Sequence, residues 1–143
     1  LFVFALSLLL FLLVGNGRVE RTMYFPAQTG RRVIAEQRFL PRQGSLENDI
    51  KEVAEGVLLG PARPDARRLF PRGGSVLAVM MNGRTLYMDL SPAVLAKDPE
   101  VPLTVQAALD ALERSIRFNF PRFRDVVFFV DGQSPRFAEN KKI

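Results

Sequence analysis

The stretch from Val57 to Leu77, VLLGPARPDARRLFPRGGSVL, sets Gly60, Gly73 and Gly74 and the arginines Arg63, Arg67, Arg68 and Arg72 between two apolar runs. Glycine beside clustered cations is the composition of a phosphate-binding loop, and that reading would make the chain a parallel α/β protein. Such a loop leaves a strand, carries Gly-x4-Gly-Lys-[Ser/Thr], and opens a helix whose first amides face the phosphate. Here the order is inverted. Leu46, Ile50, Val53 and Val57 form the stripe of a helix that runs into Gly60, and Ser75–Met81 (SVLAVMM) is an apolar run of strand length. No Gly-Lys-Ser or Gly-Lys-Thr occurs anywhere. The stretch is therefore a connector from helix to strand. Gly60 reads as a left-handed cap that Pro61 makes final, while Pro71 and Gly73 stiffen and turn the loop.

Working outward from the connector, Ser45 caps the start of the first helix, with Glu47 and Asp49 in its first turn. Ahead of it, Arg21–Phe25 and Arg32–Leu40 read as strands, ended by Pro26 and Pro41. On the other side, Asn82-Gly83 between Ser75–Met81 and Arg84–Leu90 predicts a hairpin with a type I′ turn. Its return strand places Leu86, Met88 and Leu90 on one face and Thr85, Tyr87 and Asp89 on the other. Ser91-Pro92 starts a helical turn capped by the serine, and Lys97–Leu103 is a loop. From Thr104 a second helix runs to about Phe118, with Val105, Leu109, Leu112 and Ile116 on one side. Asp125–Val130 is a buried strand closed by Asp131-Gly132. The order β-β-α-β-β-α-β makes the fold α+β: a small mixed β-sheet with two helices packed on one face, following an apolar membrane segment. The last strand is expected to lie parallel to a strand of the hairpin.

That apolar segment is LFVFALSLLLFLLVG, in which only Ser7 and Gly15 depart from alanine and the large apolar residues. As a helix it spans roughly 22 Å against a hydrocarbon core of roughly 30 Å. With residues ahead of Leu1 it becomes a full signal anchor; read as it stands it fits a signal peptide, with Gly15-Asn16-Gly17 as a weak cleavage site. The organisation expected is thus a signal anchor or signal peptide over 1–17, a domain over 21–132 and a flexible charged tail over 133–143. Either reading of the leader puts the domain outside the cytoplasm, attached to or exported across a membrane through residues 1–15.

The sequence holds no cysteine and no histidine. Disulfides, Cys or His zinc sites and histidine-based nucleophile activation are therefore closed to it. No cofactor motif is present. The net charge is +5, and residues 1–17 carry none of it. A basic balance suits anionic partners such as lipid headgroups, cell-wall polymers, nucleic acid or an acidic protein, without choosing among them.

Several residue sets invite a chemical reading. Asp89-Leu90-Ser91 has an acid beside a hydroxyl, but no base to activate it, so a strand end with a capping serine is the simpler account. Asp89 and Asp131 both lie near strand ends, where turn and cap roles compete with a catalytic carboxylate pair. Arg63, Arg67, Arg68 and Arg72 read as a solvated loop or as a contact surface for an anionic partner or a neighbouring subunit. Phe118, Phe120 and Phe123 interleave with Arg117, Arg122 and Arg124, a pattern that stacks on bases or plugs the core at a helix end. The exposed helix faces carry Lys51, Glu52 and Glu55 on one helix and Asp110, Glu113, Arg114 and Arg117 on the other. That charge suits head-to-tail packing of identical copies.

Leu58-Leu59-Gly60-Pro61, then Phe70-Pro71-Arg72-Gly73, then Asp89-Leu90-Ser91, resembles the GerMN domain of the sporulation and spore germination family. Tyr24-Phe25 in the first strand and Val130-Asp131-Gly132 after the last fit the same pattern, so the resemblance covers about Tyr24 to Gly132. It implies a non-enzymatic, membrane-tethered or exported envelope domain that mediates protein–protein interaction or oligomeric assembly. It also implies a fold similar to the ring-building motifs of secretion machines. The best-known members are tandem lipoproteins, whereas this sequence holds one copy and no cysteine. A general envelope role follows more directly than a sporulation-specific one. The alternatives are a basic domain binding an anionic polymer and a hydrolase using paired carboxylates. Nucleic acid is disfavoured as a partner, because the leader carries the domain away from it.

Overall fold

Two side-chain caps set the frame. Ser45 Oγ accepts from the Asn48 amide and starts a helix over Leu46–Leu59; Thr104 Oγ1 accepts from the Ala107 amide and starts another over Val105–Asn119. The computed structural model describes residues 2–13 and 17–135. In chain order they form α1 (Phe2–Leu13), β1 (Arg18–Pro26), β2 (Val33–Pro41), α2 (Leu46–Leu59), β3 (Val76–Asn82), β4 (Thr85–Leu90), a 3-10 turn (Pro92–Leu95), α3 (Val105–Asn119) and β5 (Asp125–Val130). This order differs from the expected one by the helix in front and the 3-10 turn between β4 and α3.

The apolar leader forms the 12-residue α1, whose side chains from Val3 to Leu10 are exposed. No helix among the described residues is long and apolar enough to cross a membrane. Gly15 and Asn16 of the expected cleavage site lie outside the described residues. So does most of the expected tail, residues 136–143; Gln133 exchanges two backbone hydrogen bonds with Val130.

The expected single sheet is two. Among the described residues β1 pairs with β2 alone, antiparallel, while β3, β4 and β5 form a second sheet in that order, with β5 parallel to β4 as anticipated. The reason lies at the other edge of β1. Its Thr22 amide donates to Asn119 Oδ1 and its Tyr24 amide to Ser115 Oγ, and Asn119 Nδ2 donates to the Thr22 carbonyl. Side chains of α3 thus occupy the backbone groups with which β1 would have joined the other strands. Farther along, the connector pairs with the end of β1: Arg67 N–H donates to Pro26 O, and Gln28 N–H to Asp65 O.

The core is shared by both sheets and both amphipathic helices. Met23 and Phe25 of β1, Ile50, Val53 and Val57 of α2, Leu86, Met88 and Leu90 of β4, and Leu112 and Ile116 of α3 are all fully buried. The period-two and helical stripes read from sequence therefore face this one core.

The hairpin differs from expectation by one residue. Asn82 pairs with Thr85, so the loop residues are Gly83 and Arg84, not Asn82 and Gly83. Gly83 has φ +59°, and Arg84 is not among the positive-φ residues. Positive φ at the first loop position alone is the pattern of a type II′ turn, which needs glycine there; type I′ needs it at both. Both turns match the twist of the strands, which is why Asn-Gly in sequence signals the hairpin but not its register.

Candidate functional site

The connector is organised by two residues that the sequence reading passed over. On β2, Ile34, Glu36, Arg38 and Leu40 point inward, and Glu36 is only 5% exposed. Its carboxylate accepts from the amides of Ala62 and Arg63 and from Arg38 Nε. Arg38 in turn donates to the carbonyls of Gly56 and Gly60, and Arg68 Nη2 lies 3.4 Å from the Leu58 carbonyl. α2 carries no basic residue in its last turn. Its last carbonyls, which have no partner within the helix, are met by two arginines from outside it. Burial alone would raise the Glu36 pKa. The Ala62 and Arg63 amides and the Arg38 guanidinium outweigh it and hold the carboxyl below its ordinary value. The available signal was an opposite-charge pair at i and i+2 on a strand face shared with Ile34 and Leu40.

Around this clamp the four connector arginines divide. Arg63 is held by Asp65 in a two-point pair at 2.9 and 2.7 Å, and Arg68 lies partly buried against Gly60. Arg67 and Arg72 are exposed and enter no ion pair among the described residues. Arg38, Arg68 and Arg72 line an open hollow of about 660 Å³ together with Glu52 and Glu55 of α2. Gly60 takes φ 99° and ψ 175°, a glycine conformation but not the left-handed helical one expected. Pro61 follows it, Pro71 is buried, and Gly73 has φ +88°.

Asp89, Ser91, Asp131 and Gly132 converge at the C-terminal ends of β4 and β5. Both Asp89 carboxylate oxygens accept from the Gly132 amide, at 3.0 and 3.1 Å, and the Asp131 amide donates to Leu90 O. Asp131 has φ +52°, a turn residue rather than a partner carboxylate. Ser91 corrects the expected cap. Its hydroxyl makes no bond to the 3-10 turn and instead accepts from the Ser75 amide at 3.0 Å, tying the start of β3 to the end of β4. With Asp89 acting as a turn clasp at a half-exposed position, Asp89→Asn keeps one acceptor oxygen. It should lower stability by less than about 1 kcal/mol, to be read from a urea melt.

A third cluster lies on the α3–β1 seam. Tyr24 meets Phe118 edge-on at 5.6 Å between ring centroids, and the Arg114 guanidinium stands 4.3 Å over the Tyr24 ring. Of the three phenylalanines expected as core plugs, Phe120 and Phe123 are buried, but Phe118 is 59% exposed. With Asp110, Glu113, Arg114, Arg117, Pro121 and Phe123 it lines an open hollow of about 600 Å³. The helix charges pair along their own helices: Lys51 with Glu55 at 3.9 Å, and Arg117 with Glu113 at 3.3 Å. No group of three or more acidic residues that could hold a metal occurs among the described residues.

This arrangement of elements is that of known proteins. The chain superposes on the first GerMN domain of the sporulation protein GerM from Bacillus subtilis with a TM-score of 0.66 at 19% identity, covering 82% of this chain and 86% of that one. The tandem GerMN domains of the same protein match with a TM-score of 0.67 and 19% identity, over 82% of this chain and 41% of theirs. A putative lipoprotein from Clostridium perfringens matches with a TM-score of 0.53 and 17% identity, over 86% of this chain and 89% of that one. At these identities the likeness is one of fold. In sequence, the chain is 31% identical over 85 residues to an uncharacterised lipoprotein of Treponema pallidum (strain Nichols), an alignment covering 59% of this chain and 63% of that relative. The family profile for Germane, sporulation and spore germination, matches residues 22–135, from the first strand of the domain to just past the last, and the chain belongs to that family.

Proposed function

We propose that this is a membrane-tethered or exported envelope domain that acts by protein–protein contact and not by catalysis, with the α3–β1 seam as its contact surface. One observation carries the reading. Asp89 and Ser91, the connector arginines Arg63 and Arg68, and the Glu36 carboxylate each hold backbone or another side chain of the fold. Tyr24, Arg114 and the exposed Phe118 instead form an aromatic–arginine surface, a composition enriched at interface centres. The lipoprotein relative and the family's sporulation and germination members support an envelope setting, with residues 1–15 attaching the domain to a membrane. Arg67 and Arg72, exposed and without ion pairs among the described residues, support a second reading in which an anionic cell-wall polymer is the partner. Under that reading, binding should fall steeply with salt.

The absence of native cysteine makes the test direct. Single Phe118→Cys and Lys51→Cys variants of the full chain in cells should both react with a membrane-impermeant thiol reagent. A bifunctional cross-linker should then trap Phe118→Cys, and not Lys51→Cys, in an adduct with another envelope protein. Arg114→Glu should reduce that adduct by about tenfold, the loss of a hot-spot contact. Protection of both cysteines from the reagent would overturn the location, and labelling without an adduct would overturn the contact surface.

A further inference from the structure

β3 and β5 are near-continuous apolar runs in sequence, yet among the described residues the second sheet has helices on one face only. Its inner face is closed by Leu86, Met88 and Leu90, all fully buried. On the outer face, Ala78 lies opposite Asp89, Met80 opposite Tyr87 and Asn82 opposite Thr85; β5 adds Asp125, Val127 and Phe129 in the same rows. A bulge at Leu77 leaves both Leu77 and Ala78 exposed. Leu77 is 49% exposed, Met80 64% and Val127 37%, and Tyr87 stacks beside Phe129 at 6.4 Å. A sheet solvated on one face ordinarily alternates apolar-in with polar-out. Here the centre of the outer face is apolar across all three strands, and the polar residues Asn82, Thr85, Asp125 and Asp89 sit toward its ends.

Charge identifies the occupant. At one end of the strands stand Arg84, Arg122 and Arg124, where Arg84 Nε donates to Arg122 O and the Arg124 N–H to Arg84 O, with Asp125 beside them. At the other end stand Asp89 and Asp131. A face with a self-complementary apolar centre and opposite charges at its two ends matches itself when turned end for end. We infer that a second copy of this chain docks on the outer face of the β3–β4–β5 sheet, face to face about a two-fold axis across the strands. Met80 of each copy then lies near Met80 of the other, and Asp89 lies over Thr85 and Arg84 of the other. Two sheets stacked in this way are a sandwich with a closed interface. The alternative two-fold, along the strands, would set arginines against arginines and aspartates against aspartates.

The footprint is small. Three strands of this length cover roughly 14 by 20 Å, about 300 Å² of flat face, well below the ~800 Å² per partner of a standard interface. Association is therefore weak in dilute solution and strengthened by confinement at a membrane, where effective concentration rises. The inference adds a self-contact on a second surface to the protein–protein role proposed above, and rests on that reading.

The test uses the full chain in liposomes with a short bis-maleimide. Met80 is largely exposed, so its replacement leaves the core intact, which a thermal melt verifies. Met80→Cys should give at least tenfold more covalent dimer than Lys51→Cys. Arg84→Glu should cut the yield about fivefold, as a like-charge juxtaposition does, and adding Asp89→Lys should restore it. No dimer from Met80→Cys, or no restoration by the charge swap, overturns the inference. So does a ladder from a Met80→Cys/Lys51→Cys double variant when Met80→Cys alone gives nothing, which would show sheet-to-helix packing. In each of those cases, a surviving Phe118 adduct in cells leaves the interaction role standing; its loss as well would remove both.

Discussion

Glu36→Ala is expected to lower the unfolding free energy by about 3 kcal/mol, the low end for breaking a buried ion pair. The carboxylate has three separate duties. It accepts from the first two amides after Pro61, it neutralises Arg38, and it orients Arg38 toward the carbonyls of Gly56 and Gly60. Truncation leaves those two amides without their acceptor and a largely buried guanidinium without its counter-charge. The Arg38 side chain retains 18% exposure, and water reaching it keeps the loss at the low end of the range. Glu36→Gln, which keeps the shape and loses the charge, should cost about 1.5–3 kcal/mol. The dependence on pH separates the two effects. Because the folded protein holds the Glu36 pKa below its ordinary value near 4.5, the contribution is complete above that value. It is lost as the pH falls through the lower folded value. Denaturant melts from pH 7 downward should therefore show the wild type losing, below about pH 4.5, part of the advantage it holds over Glu36→Gln at neutrality. A difference between the two that stays constant across this window would show that the carboxylate charge plays no part.

Gly60→Ala is expected to lower stability by about 2–4 kcal/mol, combining backbone strain of about 1–3 kcal/mol with a displaced arginine. The φ of 99° with ψ near 175° lies in a region that residues other than glycine enter at a cost. A Cβ there would also stand 3.0–3.3 Å from Nη1, Cγ and Cζ of Arg68. Moving Arg68 removes its approach to the Leu58 carbonyl and opens the end of α2. A double-mutant cycle distinguishes the two parts. Arg68→Ala removes the steric conflict but not the strained dihedral, so Gly60→Ala should cost less in that background, yet still more than about 1 kcal/mol. Strict additivity in the chemical-denaturation midpoints would mean that the two residues do not touch in solution.

Both effects arise in the connector with which the sequence reading began, and they show where that reading reached its limit. That Val57–Leu77 joins a helix to a strand follows from order along the chain: Gly60-Pro61 closes one periodicity, and Ser75 opens another. What organises the connector was not legible, because Glu36 and Arg38 are distant in sequence and resemble ordinary charges on an edge strand. Ser91 shows the same limit. Its place before Pro92 predicts a cap, but Ser75 on the neighbouring strand competes for the hydroxyl and obtains it. Phe118 lies two residues past Ile116, a step of roughly 200° that carries it off the stripe of Leu109, Leu112 and Ile116. Its exposure follows from that step, whereas its pairing with Tyr24 depends on β1 crossing α3.

The sequence alone thus determined the elements, the N-caps of the two amphipathic helices and the face each one buries, because periodicity and capping act between residues a few positions apart. It also determined which chemistry is closed, since no histidine and no cysteine are present. The tertiary structure alone decided that the strands divide into two sheets, because Ser115 and Asn119 take hydrogen bonds that a neighbouring strand would otherwise have made. It alone decided which arginines support the fold and which remain at the surface, and that among the described residues no element covers the apolar outer face of the second sheet. Each of these outcomes depends on groups brought together from distant parts of the chain, competing for the same backbone partner or the same patch of surface.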